Sequence, residues 1–172
     1  MPKTIFDLDI TGRIAKLGGN ILGDAHEHYV TAILMRLGFD VSVASVKGGP
    51  YDLLITAYKN GTDSEKVILR AQVKTCSTSI SFIGGVRGGV DREYKSGVKE
   101  YKYSEEHNDL IIGVKKSTLD LYLVPTRFLK HFGKSKSLNQ LDSLKNNWEI
   151  LLNWREEWLE KVLATITTYS HL

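Results

Sequence analysis

The sequence predicts an α/β domain built on one central mixed sheet flanked by helices. Three observations carry that reading. An N-terminal segment repeats its apolar residues every three and four positions, as an amphipathic helix does. Strand-length segments then alternate apolar and polar residues, as half-buried strands do. The C-terminal part returns to helical spacing, so helices bracket the strands around a shared core. The 172 residues, 42% hydrophobic and 25% charged, suit a single domain that buries its core without disulfides. A single cysteine, Cys76, excludes an intrachain disulfide and any cysteine-only zinc site. No apolar run approaches the roughly 20 residues of a membrane span, and the N-terminus lacks the continuous apolar core of a signal peptide. The expectation is a soluble protein, cytoplasmic or nucleoid-associated, with no membrane partner.

The elements follow in order. A first helix is predicted over 20–37, where Leu22, Ala25, Tyr29, Val30, Ile33, Leu34 and Leu37 share a face. Gly38 supplies its left-handed stop. Residues 41–46 alternate as a strand, and Gly48-Gly49-Pro50 turns the chain. The next strand, 51–58, has Leu53, Ile55 and Ala57 on one face and Asp52, Leu54, Thr56 and Tyr58 on the other. Asn60-Gly61 signals a hairpin. Its return strand, 66–74, opposes Val67, Leu69, Ala71 and Val73 to Ile68, Arg70, Gln72 and Lys74. The glycine-rich stretch 75–96 reads as a long loop, followed by a weak helical signal over 98–106. A second hairpin pairs 109–114 with 118–124, Pro125 ends it, and a short helix begins at Thr126 and runs to about His131. One long helix is predicted over 138–163, with Leu141, Leu144, Trp148, Leu151, Leu152, Leu159 and Val162 on its apolar side. Trp154 and Trp158, four apart, suit either self-association or packing on the sheet.

The chemistry concentrates on the first hairpin. Gln72 and Lys74 are two apart on a strand and share a face. Counted from a hairpin centre near Thr62, Asp52 and Gln72 are each ten residues away, so they lie roughly opposite each other. The Asp52 carboxylate, the Gln72 amide and the Val73 carbonyl are hard oxygen donors of the type Mg²⁺ accepts. The Lys74 ammonium suits charge building up on phosphate oxygens, or a water to be oriented. Such a cluster fits metal-assisted phosphodiester hydrolysis. The spacing alone also fits polar residues alternating on a half-exposed strand.

Asp52 with Gln72-Val73-Lys74 resembles the D…(D/E)-x-K core of the PD-(D/E)XK nuclease superfamily, over about residues 20–131. That resemblance implies a restriction-endonuclease-like fold. It also implies that Glu27, on the first helix, joins Asp52, Gln72 and Val73 around the metal. The second acidic position here is Gln72, and Pro50 stands two residues before Asp52 instead of directly before it. A glutamine there is similar to the Q-x-K variant of some restriction enzymes and of a cyanobacterial intron-encoded homing endonuclease. The later hairpin ending in Val124-Pro125 resembles the resolvase-like branch. The implied activity is Mg²⁺-dependent cleavage of double-stranded DNA, with Mn²⁺ able to substitute, by a homodimer or homotetramer. A junction resolvase and a non-catalytic DNA-binding or assembly module are the alternatives. The charge pattern agrees with a phosphate-contacting surface. Residues 115–136 hold six basic residues, Lys115 and Lys116 among them, against one acid, whereas five acids face three bases after Lys136. Arg87, Arg92 and Lys95 extend the basic set in the glycine-rich loop.

Overall fold

The computed structural model describes residues 18–45, 49–62, 64–85 and 100–168. Helix α1 spans Gly18–Arg36. Val30 and Leu34 are its fully buried residues, with Tyr29 and Ile33 packed beside them. Gly38 closes it at φ +96°. The Gly38 N–H donates to the Met35 carbonyl and the Phe39 N–H to the Leu34 carbonyl, both at 3.0 Å. This pair of bonds is a Schellman motif, and the left-handed residue it needs is the predicted glycine.

Among the described residues nine strands follow: β1 Val41–Val43, β2 Leu53–Tyr58, β3 Lys66–Cys76, β4 Ser79–Ser81, β5 Ile83–Gly84, β6 Tyr101–Lys102, β7 Leu110–Lys115, β8 Leu121–Pro125 and β9 Ser135–Ser137. Five of them form the central sheet in the order β1-β2-β3-β7-β8. Its β3–β7 pair is parallel, from Ala71↔Leu110 to Cys76↔Lys115. The other neighbours are antiparallel, so the sheet is mixed, as predicted. In the β2–β3 hairpin Leu53 pairs with Ala71 and Tyr58 with Lys66. Carried one step outward, that register sets Asp52 opposite Gln72.

Several expected elements are corrected. The first strand covers Val41–Val43 and its register with β2 carries on one step, the Ala44 N–H donating to the Asp52 carbonyl at 2.7 Å; the expected end near Val46 lies outside the described residues. Strand β3 runs on to Cys76, since parallel pairing with β7 continues past Lys74. The segment read as a loop contains β4 and β5, which pair with β9 and β6 respectively. The described part of the expected 98–106 helix is instead β6 followed by a turn. Here Lys102 pairs with Ile83, and the Tyr103 N–H donates to the Phe82 carbonyl at 2.9 Å, long-range bonds that override a weak local signal.

The long C-terminal helix is also broken. A 3₁₀ turn covers Thr126–His131 as expected, but a second one, Leu138–Leu144, precedes α2 Glu149–Leu152 and α3 Glu156–Thr168. Asn146 causes the first break. It sits at φ +49°, its Oδ1 accepts the Leu121 N–H at 2.9 Å, and its Nδ2 donates to Asp120 at 3.2 Å. Asn153 closes α2 by donating from its side chain to the Glu149 carboxylate at 2.8 Å. Leu141, Leu144, Leu151 and Leu159 are nevertheless buried. Trp154 and Trp158 pack partly buried against the core.

Candidate active site

Asp52 stands just before β2. Its backbone N–H donates to the Ala71 carbonyl at 2.8 Å, and its carboxylate accepts the Val73 N–H at 2.8 Å. The same carboxylate oxygen accepts from Gln72 Nε2, which also donates to the Val73 carbonyl at 3.3 Å. Lys74 lies two residues along the same face of β3. Its Nζ is 3.4 Å from the Ile83 carbonyl and 5.0 Å from the centroid of the Tyr103 ring.

Two polar networks fix this corner. Buried Asn108 donates to the Pro50 carbonyl at 2.9 Å and accepts from the Thr126 hydroxyl, so the entry of β7 and the end of β8 hold the approach to Asp52. Arg70 forks onto Asp109 at 3.0 Å and reaches the Glu105 and Glu106 carbonyls, tying β3 to the start of β7. An Arg–carboxylate fork is directional, so it sets register as well as proximity. On the helix side, His26 Nδ1 lies 2.7 Å from Thr75 Oγ1 and joins α1 to the end of β3.

Burial governs the charges. It pushes the Asp52 pKa up, and the Val73 N–H, the Lys74 ammonium and the Gln72 amide only partly oppose it. Asp24 pushes it further up. Burial pushes Lys74 down, against the attraction of Asp52. A carboxylate raised in spite of three favourable partners has charge left to compensate. An added cation would supply that compensation.

Among the described residues, no group of three or more His, Cys, Asp or Glu side chains gathers to hold a metal. The donors at hand are the oxygens of Asp52, Gln72 and Val73. That set does not suit zinc, but it fits a hard divalent cation that keeps much of its water shell. The Gln72 amide presents its NH₂ to Asp52, so its oxygen becomes a donor after a half-turn of the amide.

The structure therefore brings Asp52, Gln72, Val73 and Lys74 together. Glu27 is half-buried on α1, its carbonyl accepting the Thr31 hydroxyl at 2.8 Å. Asp24, one helical turn earlier on α1, bears on Asp52 through its charge. Sequence reasoning passed over Asp24, although its spacing of three from Glu27 puts both on one face. It also missed Asn108 and Tyr103, which no local pattern marks. Lys115 pairs with Cys76 across β3–β7, and the Lys116 N–H donates to the Cys76 carbonyl at 2.9 Å. Both lysines thus lie at the sheet end just beyond Lys74. Arg87, Arg92 and Lys95 fall outside the described residues.

The sequence profile of the PD-(D/E)XK endonucleases matches residues 20–161. The chain belongs to the PD-(D/E)XK endonuclease family. The family region thus runs past residue 131, where the sequence resemblance ended, and takes in α2 and part of α3. The fold of this family member is similar to that of a bacterial homing endonuclease, I-Ssp6803I. The TM-score is 0.58 and the identity 14%, over 77% of this chain and 92% of that one. No curated protein matches the sequence.

Proposed function

We propose that this family member is a Mg²⁺-dependent endonuclease that hydrolyses phosphodiester bonds of double-stranded DNA at specific sites, as homing and restriction enzymes do. The observation that carries the reading is the convergence of Asp52, Gln72, the Val73 carbonyl and Lys74 at one end of the β2–β3 hairpin. Asp52, Gln72 and Val73 would hold the cation, with Glu27 or Asp24 adding charge from α1. When bound, the ion supplies Lewis-acid stabilisation of the phosphate and a more acidic water.

The chain's own residues do the rest. The Val73 N–H fixes the Asp52 carboxylate, so its donor oxygen does not swing away. The Lys74 ammonium, on the same face, faces the charge that grows on phosphate oxygens as water adds to phosphorus and the phosphorus–oxygen bond to the leaving group breaks. Lys115 and Lys116 extend positive charge from the same sheet end along a phosphate backbone. Cutting both strands takes two such sites, which is met by a homodimer or homotetramer.

The test is cleavage with Mg²⁺ or Mn²⁺ of supercoiled plasmid, a synthetic four-way junction and a random duplex library. Discrete cuts in the plasmid and selected duplexes are expected, with Lys74→Ala slowing them about 10²–10³-fold. Cutting confined to the junction would establish the resolvase alternative. DNA binding without any cutting would leave a non-catalytic binding module.

A further inference from the structure

We propose that the β5–β6 ribbon is a clamp for the Lys74 ammonium, and that Tyr103 is its positioning residue. Lys74 extends from β3 toward that ribbon. Its Nζ meets the Ile83 carbonyl of β5 at 3.4 Å and lies 5.0 Å from the Tyr103 ring centroid. Asp52 attracts the same ammonium from the β2 side. A lysine stem has many rotamers and would otherwise spread its charge over several positions. A ring face attracts an ammonium through its quadrupole, and more strongly where water is excluded.

The ring is itself held. Tyr103 is buried and its N–H is bound to the Phe82 carbonyl at 2.9 Å. Tyr101 meets it edge-on at 5.4 Å and stacks on His107 at 4.5 Å. His107 Nδ1 in turn lies 2.9 Å from the Ser104 hydroxyl. Tyr101 takes this place because Gly84 lacks a side chain: a Cβ there would lie 2.6 Å from Tyr101 Cζ. The aromatic wall is thus built from β6 and the turn that follows, with Gly84 of β5 leaving room for it.

The clamp rests on the proposed function only in that Lys74 serves hydrolysis, so two separate readouts test it. In protein labelled with ¹³C at lysine ε-carbons, the Lys74 signal is assigned with Lys74→Arg. An upfield ring-current shift of its ε-protons is expected in the wild type and in Tyr103→Phe, and its loss in Tyr103→Leu. Single-turnover cleavage is expected to be within about twofold of wild type for Tyr103→Phe. For Tyr103→Leu a fall of roughly tenfold in rate, with little change in DNA affinity, is expected from the strength of a buried cation–π contact. A wild-type Lys74 signal at the position of an exposed lysine would overturn the clamp, whether or not Tyr103→Leu folds. Equal cleavage rates for wild type and a folded Tyr103→Leu would overturn its role in positioning. A shifted Lys74 signal in a protein that cuts no DNA would leave the clamp standing and sink the nuclease reading.

Discussion

The Asp52 carboxylate is half-buried, and burial raises its pKa more than Val73, Lys74 and Gln72 lower it. Its folded pKa therefore lies above its unfolded one, and in that interval the folded chain binds more protons. Stability falls as pH rises through the interval, so the ionised Asp52 is a stability deficit at neutral pH. Asp52→Asn removes the charge while keeping an oxygen for the Val73 N–H. In chelator at neutral pH we expect this variant to be more stable by about 0.5–2 kcal/mol, as relief of active-site strain usually is. Urea unfolding measures the gap, which should close as pH falls below about 4, where the unfolded aspartate also takes up its proton. Cleavage should be lost to background. A variant less stable than wild type at pH 7 would mean that the Asp52 bonds outweigh its desolvation. A bound divalent cation fills the same deficit, so Mg²⁺ should raise the melting temperature of the wild type more than that of Asp52→Asn.

The C-terminal segment shows why a periodic sequence need not be one helix. Leu141, Leu144, Leu151 and Leu159 keep a helical spacing because they are all buried, yet Asn146 and Asn153 interrupt the backbone between them. Periodicity reports which side chains face the core; it does not report whether the hydrogen bonds between them are continuous. Asn146 is specific for its place, since asparagine tolerates φ > 0 and its amide reaches both Leu121 and Asp120. Asn146→Ala should destabilise by about 1–3 kcal/mol, through backbone strain and a Leu121 N–H left without its partner. Asn146→Gly relieves the strain and should be the milder change. Equal losses in thermal melts would assign the whole effect to the hydrogen bonds. The same contrast explains the rest of the fold. The β2–β3 register was readable because the hairpin is local and centred near Thr62, and Gly38 ended α1 for an equally local reason. The two- and three-residue pairs β5–β6 and β4–β9 depend on partners far along the chain, so the segment around Gly84 read as loop. That is why Asp52, Gln72 and Lys74 were visible in the sequence, whereas Tyr103 and Asn108, which hold their surroundings, were not.

A formal net charge of +3 on the whole chain conceals where the charge lies. The β3–β7 pairing carries Lys115 to Cys76, two residues past Lys74, and Lys116 stays bonded to the Cys76 carbonyl through its backbone. Lys116 is exposed, and its charge helps burial to push the His26 pKa down, so it stands near the α1 side of this sheet end. Two cations placed beside the hydrolytic cluster would meet phosphates that flank the bond to be cut. Each phosphate neutralised releases condensed counterions, and the slope of log affinity against log salt steepens by about 0.9 per contact. Binding of Asp52→Asn to duplex DNA, followed by fluorescence anisotropy in chelator, isolates this effect from cleavage. Replacing Lys115 and Lys116 together by alanine should reduce the slope by about 1.8 if both contact phosphate. Affinity should fall similarly for unrelated duplex sequences, because phosphate contacts position the protein without reading bases. An unchanged slope would move the phosphate contacts to other cations of the chain, Arg87, Arg92 and Lys95 among them. A loss confined to one duplex sequence would instead make these lysines readers of bases.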